Sequence, residues 1–259
     1  MSTSDNFTPV NTKKKRKKSR TFPRSKSPPT DTVDYDSAKR NILCAEVDMQ
    51  SSPYYQKLCT VFRNSVFKDS SDPVKSIVCY GLGHISTCPT ARFQLALLMC
   101  LRALIHPEVS EVYDPVFTEV EHRLLESFGF KVIALNEEGK RCARDRTLFY
   151  MPHCGKPLYN SVLWANWRKE SLRNVIIFGN SFSNIWTTHL ERHLNERLSY
   201  LVRVKPAVKE FDIENVFRFT DIFNDQALHT FDGEVISSEV FSECDEPSYC
   251  DDDEIIVAE

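Results

Sequence analysis

The stretch SIVCYGLGHIST, residues 76–87, runs four mostly apolar residues, Ile77 to Tyr80, into Gly81-Leu82-Gly83-His84. A strand that delivers glycines to its carboxyl end is how nucleotide-binding sheets bring backbone close to a cofactor. The dinucleotide fingerprint needs a third glycine, and Ser86 stands in its place. Gly83 and Pro89 are six residues apart, which displaces the next helix start from where a pyrophosphate would sit. Two readings stay open: a cofactor loop, or a tight turn in an α/β sheet.

Three more apolar runs end in residues with chemistry: Asp114, His153-Cys154 and Gly179-Asn180-Ser181. In open parallel sheets ligands bind outside the carboxyl ends of the strands, so these ends, with Gly81, Gly83 and His84, are expected along one edge. An acid at such an end can hydrogen-bond a ribose or cap a turn. Thr118 already suits the next helix start, which favours the ribose reading of Asp114, although its spacing of 31 from Gly83 exceeds the usual ~20. His153 suits a general base, since an imidazole titrates at about 6.5, and equally a structural turn. Two adjacent residues are not a normal chelating pair, so His153-Cys154 is not assigned a metal. Asn180 and Ser181 read as pocket residues or as the cap of a following helix. There is no GxxxxGK[ST] loop, GNSFS is not a nucleophile elbow, and no catalytic set is complete.

CYGLG, ARFQLALL, LFYMPHCGKPLYNSVLWANW, VIIFGNSF and IFNDQALHTF, in that order over residues 75–231, resemble the sensitivity-to-red-light-reduced (SRR-like) domain family. The resemblance implies a regulatory protein of cytoplasm and nucleus, tied to circadian-clock input, clock gene expression and control of haem biosynthesis, with no family-wide reaction. Protein partners are expected, with a nucleotide-like ligand or haem as the small-molecule options and the cofactor left unknown. Asn224, Asp225 and His229 of the last motif either fold over the strand-end pocket or form a turn and cap. The alternative is an enzyme using a nucleotide or S-adenosylmethionine, with Gly81, Gly83, Asp114, Asn180 and Ser181 at the cofactor and His153 in proton transfer. The incomplete catalytic set leans against it.

These residues need a sheet to align them. Short, wholly apolar strands are expected at Ser76–Tyr80, Val109–Tyr113, Lys131–Leu135, Thr147–Met151, Val175–Phe178 and Tyr200–Val204. Helices are expected from Ser52 to about Val66, Ala91 to Ile105, Thr118 to Phe128, Leu158 to Trp167 and Ser183 to Leu198. Thr118 and Glu121 form a capping box, and Gly129 supplies the left-handed stop. This alternation implies an α/β fold: a Rossmann-like three-layer sandwich with a mostly parallel sheet.

The 259 residues divide accordingly into a basic tail, 1–36, an SRR-like domain, 37–236, and an acidic tail, 237–259. Both tails are expected to be disordered, since neither looks able to build a core. Lys13 to Lys18 is an unbroken basic run, suited to nuclear import, loose nucleic-acid contact or simple solvation. No basic stripe marks the central region, so a dedicated nucleic-acid-binding domain is not expected. Nine cysteines without a CxxC pair, behind a polar start, suggest reduced intracellular thiols. The longest apolar run, Leu95 to Leu101, is far short of the ~20 residues that span a bilayer, so no membrane is expected.

Overall fold

Strand side chains alternate strictly between two cores. Ile77, Cys79, Leu148, Tyr150, Ile176 and Phe178 face one, and Val78, Tyr80, Phe149, Met151, Val175 and Ile177 face the other. This is what wholly apolar strands require: neither face can meet water, so helices cover both. The computed structural model describes residues 34–68, 72–242, 245–249 and 255–257, so the basic run and most of the expected N-terminal tail lie outside the described residues.

The sheet has seven strands: β1 Ser76–Tyr80, β2 Val109–Tyr113, β3 Lys131–Val132, β4 Thr147–Met151, β5 Val175–Asn180, β6 Val208–Asp212 and β7 Gln226–Phe231. Their order is β3-β2-β1-β4-β5-β7-β6. The first five run parallel, with Ser76 opposite Val109 and Thr147, and β7 runs antiparallel between β5 and β6. The chain reverses direction of travel between β1 and β4, which makes their carboxyl ends the switch point of the sheet.

On the first face lie α1 Tyr35–Gln50, α2 Pro53–Ser65, α3 Pro89–Ile105 and α4 Glu119–Ser127. On the second lie α5 Lys156–Ala165, α6 Lys169–Leu172, α7 Phe182–Thr188, α8 Glu191–Arg197 and α9 Ser199–Arg203. The capping box of α4 forms as its sequence dictates: Thr118 Oγ1 accepts from the Glu121 amide at 3.3 Å, and the Glu121 carboxylate accepts from the Thr118 amide at 2.9 Å.

Four expectations change. First, α1 was not anticipated, and it begins inside the expected tail, at Tyr35. Asp34 caps it, and Ala38, Ile42, Ala45 and Met49 bury a narrow stripe against α3. Second, Tyr200–Val204 is not a strand. Its apolar, β-branched composition suits one, but the Asn160 side-chain oxygen accepts from the amides of Tyr200 and Leu201 and starts α9 instead. The sheet is completed by β6 and β7. Third, the expected helix 183–198 breaks at His189, whose backbone is extended, giving α7 and α8.

The fourth change concerns the acidic end. Ser238–Ser242 is a helix, α10, and Val240, Phe241 and Tyr249 pack on the second core. Trp167 Nε1 donates to the Val240 carbonyl at 3.2 Å. Apolar and aromatic residues spaced through the acidic run give this segment something to bury, which the charge count conceals.

Candidate functional site

Gly81 and Gly83 both have positive φ, 73° and 74°, where a side chain is strained. A Cβ on Gly81 would lie 2.6 Å from the Cys154 sulfur, whereas one on Gly83 would meet nothing closer than 3.9 Å. Neither glycine amide points at an open site. Gly81 donates to the Tyr113 carbonyl at 3.2 Å, and Gly83 donates to Asp114 Oδ2 at 2.6 Å. Pro89 opens α3 without a donor, and Cys88 gives it no side-chain cap. The loop therefore lacks the amide cradle that binds a pyrophosphate.

Ser86, at the missing third glycine, has a different task. Its amide and hydroxyl donate to Glu121 Oε1 at 3.0 and 2.8 Å, and Thr118 donates to the other oxygen. Burial opposes the charge on Glu121, but hydrogen bonds from Ser86, Thr118 and His84 outweigh it and lower the carboxyl's pKa. One buried acid so caps α4 and pins the glycine loop. His84 Nδ1 reaches it at 3.4 Å.

Asp114 ends β2 with both oxygens engaged, Oδ2 by Gly83 and Oδ1 by the Val116 amide at 3.0 Å. Each carboxylate oxygen has a second lone pair, so a ligand hydroxyl can still be accepted there. His153 follows β4 at φ 55°, its amide donating to Asn180 Oδ1 at 3.1 Å. Its Nε2 lies 2.9 Å from the Ile222 carbonyl. A carbonyl only accepts, so Nε2 carries the proton and Nδ1 is the acceptor of the neutral ring. Cys154 is buried and its thiol lies 3.2 Å from the Tyr80 carbonyl; burial, then the charge of Asp114, pushes it up and keeps it protonated.

Gly81, Asp114, His153 and Cys154 come together around a cavity of about 460 Å³ outside β1, β2 and β4. Tyr80, Tyr113, Asn136 and Leu158 complete its walls, with Ile255 and Ile256 from the far end of the chain. Among the described residues lining it, none is Lys or Arg. The walls offer one carboxylate, one imidazole, an amide and two phenols: donors and acceptors for hydroxyl or amine groups, with no cation for a phosphate.

The other expected residues gather elsewhere. Asn180 stands behind the cavity wall, accepting from His153 and donating to the Cys154 carbonyl at 3.1 Å, so it shapes the turn after β4. Ser181 caps α7 and donates to Glu210 Oε1 at 2.7 Å. Asp225, at φ 56°, accepts from Asn184 Nδ2 at 2.9 Å, and the Asn224 carbonyl accepts from Gln226. His229 is fully buried in β7, stacked on Phe182 with ring centroids 4.0 Å apart. Its Nδ1 donates to the Ile177 carbonyl, and Nε2 lies 3.2 Å from Glu210. Burial works against the Glu210 charge, but His229, Ser181 and Ser183 hold the carboxyl down to about 2. Gly83, His84, Asn180, Ser181, Asn224, Asp225 and His229 are thus framework and not lining of the cavity.

Sequence reading did not reach Tyr80, Tyr113 or Asn136. Tyr80 donates to Glu137 at 2.8 Å, and Arg141 bridges Glu137 to Glu111, so the charged excursion after β3 folds back as the cavity's side wall. A tyrosine closing each of two adjacent strands was the available signal. No group of three or more His, Cys, Asp or Glu suits a metal among the described residues, and no described helix is long and apolar enough to cross a membrane.

A family model described as the SRR1 domain matches residues 49–230, which include all the cavity residues except Ile255 and Ile256. The chain is 45% identical over 134 residues to an SRR1-like protein of Mus musculus, covering 51% of this chain and 54% of that one. It is 29% identical over 233 residues to an SRR1-like protein of Drosophila melanogaster, covering 83% and 82%. It is 40% identical over 114 residues to the protein Sensitivity to Red Light Reduced 1 of Arabidopsis thaliana, covering 43% and 42%. The chain thus spans about half the length of the mouse and plant relatives it matches.

Proposed function

Because the chain belongs to the SRR1 domain family, we propose that it is a regulatory protein, working through ligand-gated partner binding at the cavity outside β1, β2 and β4. Its settings are circadian-clock input, clock gene expression and control of haem biosynthesis, in cytoplasm and nucleus. The basic run Lys13–Lys18 supports nuclear entry.

One observation carries the reading: a formed cavity at the switch point of the sheet, with binding groups and, among the described residues lining it, no nucleophile–base pair. Cys154 is buried and protonated, and no described group stands ready to activate it. The ligand class follows from charge. A carboxylate without a neighbouring cation disfavours a di- or triphosphate and suits a neutral or cationic molecule rich in hydroxyls, such as a nucleoside. Haem fits these residues poorly: His153 Nε2 is engaged by Ile222, and Cys154 is not a thiolate.

A second reading, an enzyme using S-adenosylmethionine, is favoured by the same charge argument, because that donor is a sulfonium cation. Asp114 would then hold the ribose and His153 Nδ1 would accept a proton. Native mass spectrometry of the purified full chain tests both readings. A retained mass without phosphate, reduced in Asp114→Asn, is expected. A retained polyphosphate, or a mass unaffected by that change, would overturn the ligand assignment. Transfer of labelled methyl to a protein or small molecule would move the conclusion to the enzyme.

A further inference from the structure

Two branched aliphatic side chains that line the cavity come from outside the family-matched region. Ile255 and Ile256 sit at its wall, and Asn136 Nδ2 donates to the Ile256 carbonyl at 2.7 Å. We propose that residues 255–257 are a displaceable part of the cavity's wall held in cis, a short peptide that a ligand or partner must displace. The displacement step rests on the ligand-binding reading above; the place in the wall does not.

The segment is held in two unequal parts. Upstream, Tyr249 is an anchor. Its hydroxyl accepts from Asn160 Nδ2 at 2.9 Å and Ser161 Oγ at 3.3 Å and donates to the Pro157 carbonyl at 3.0 Å, while its ring packs on the second core. Tyr200 donates to the Asp245 carbonyl, and Lys140 pairs with Glu246 at 2.8 Å. These contacts fix the segment's path to within a few residues of the cavity mouth. Downstream, the hold is light. Ile256 is 59% exposed and Val257 36% exposed, and among the described residues the segment's hydrogen bond is the one its Ile256 carbonyl accepts from the Asn136 side chain.

A firm anchor with a loose end gives the end a high effective concentration at the cavity without a strong grip on it. Intrinsic affinity is low, so an incoming ligand has little to overcome once it matches the Asp114, Asn136 and His153 groups. The anchor stays bound and returns the end when the ligand leaves. The segment offers two branched aliphatic residues at the cavity wall and a carbonyl toward the Asn136 amide. A partner that replaces the segment would present the same pattern.

The test keeps the full chain. Hydrogen–deuterium exchange is compared between wild type and Ile255→Asp/Ile256→Asp, which changes partly exposed side chains only. Amides of residues 136–140 and 153–156 are expected to exchange about five-fold or more faster in the variant, with core strands unchanged. Tyr249→Phe, which keeps the ring and removes the hydroxyl, should give a smaller rise in the same amides. Unchanged exchange in both variants overturns the proposal. S-adenosylhomocysteine, a nucleoside without phosphate, is then titrated into both chains by calorimetry. Tighter binding by about three-fold or more to the aspartate variant supports displacement, and equal affinity overturns it. Faster exchange with no binding to either chain upholds the place in the wall and removes the small-ligand reading instead.

Discussion

The two halves of the sheet's carboxyl edge carry the same kinds of side chain and do opposite things with them. Outside β1, β2 and β4, an aspartate and a histidine border open space, and the imidazole keeps one nitrogen uncommitted. Beside β5, β7 and β6, a glutamate and a histidine are closed in with Phe182, and every polar atom of the pair has a protein partner. Residue type does not separate a site from a strut; the count of unsatisfied lone pairs facing space does. The difference can be broken by mutation, and the largest effect should come from the closed half.

His229→Ala leaves the Glu210 carboxylate short of a partner and a void under Phe182. It should cost about 2–4 kcal/mol in urea unfolding, with the slope unchanged. A loss below 1 kcal/mol would mean that the closed cluster is not structural. Next comes the glycine pair. Gly81→Ala combines left-handed strain with a collision at Cys154 and should cost about 2–3 kcal/mol, against about 1 kcal/mol for Gly83→Ala, which meets only strain. Equal losses, read from thermal melts, would show that the Cys154 contact yields without cost.

Acid sharpens the contrast further. Glu210 sits at about 2 when folded, against an ordinary unfolded value of about 4.3. The folded value is depressed, so its contribution is fully present above about pH 4.3 and is lost as pH falls toward 2. Solvent screening trims it to about 1–3 kcal/mol. Wild type should therefore lose that much more stability than Glu210→Gln between pH 6 and pH 2; parallel losses would contradict the pairing. The smallest stability change belongs to the open half. His153→Ala should cost about 0.5–1 kcal/mol, the worth of one hydrogen bond to Ile222, while still reducing retention of any bound ligand in native mass spectrometry.

The same contrast explains what could be read in the chain beforehand. Strands β1, β2, β4 and β5 and helices α3 and α4 announce themselves because their signals are local: unbroken apolar runs, Pro89 at a helix start, the Thr118–Glu121 box. Their order then brings Gly81, Asp114, His153 and Cys154 to one cavity. What was illegible depends on distant partners. Asn160 decides that Tyr200 starts a helix, forty residues away. The short side chains of Ala38 and Ala45 make the stripe of α1 too faint to stand out. His229 looked like a site residue because its stacking and its Glu210 partner come from other elements. Asn136 and Ile256 meet across 120 positions, a distance at which no spacing rule operates.

Strand order also has a consequence for synthesis. Among the described strands β6 pairs with β7 alone, which is made later, and β5 has no strand partner on that side until β7 arrives. A nascent chain that has reached residue 225 therefore carries β6 with no place in the sheet, and its β5 edge, Val175 to Phe178, is unprotected and wholly apolar. Such an edge recruits other strands. A premature stop before Gln226 should drive the fragment into aggregates, while a ribosome that completes β7 inserts one strand and seals two.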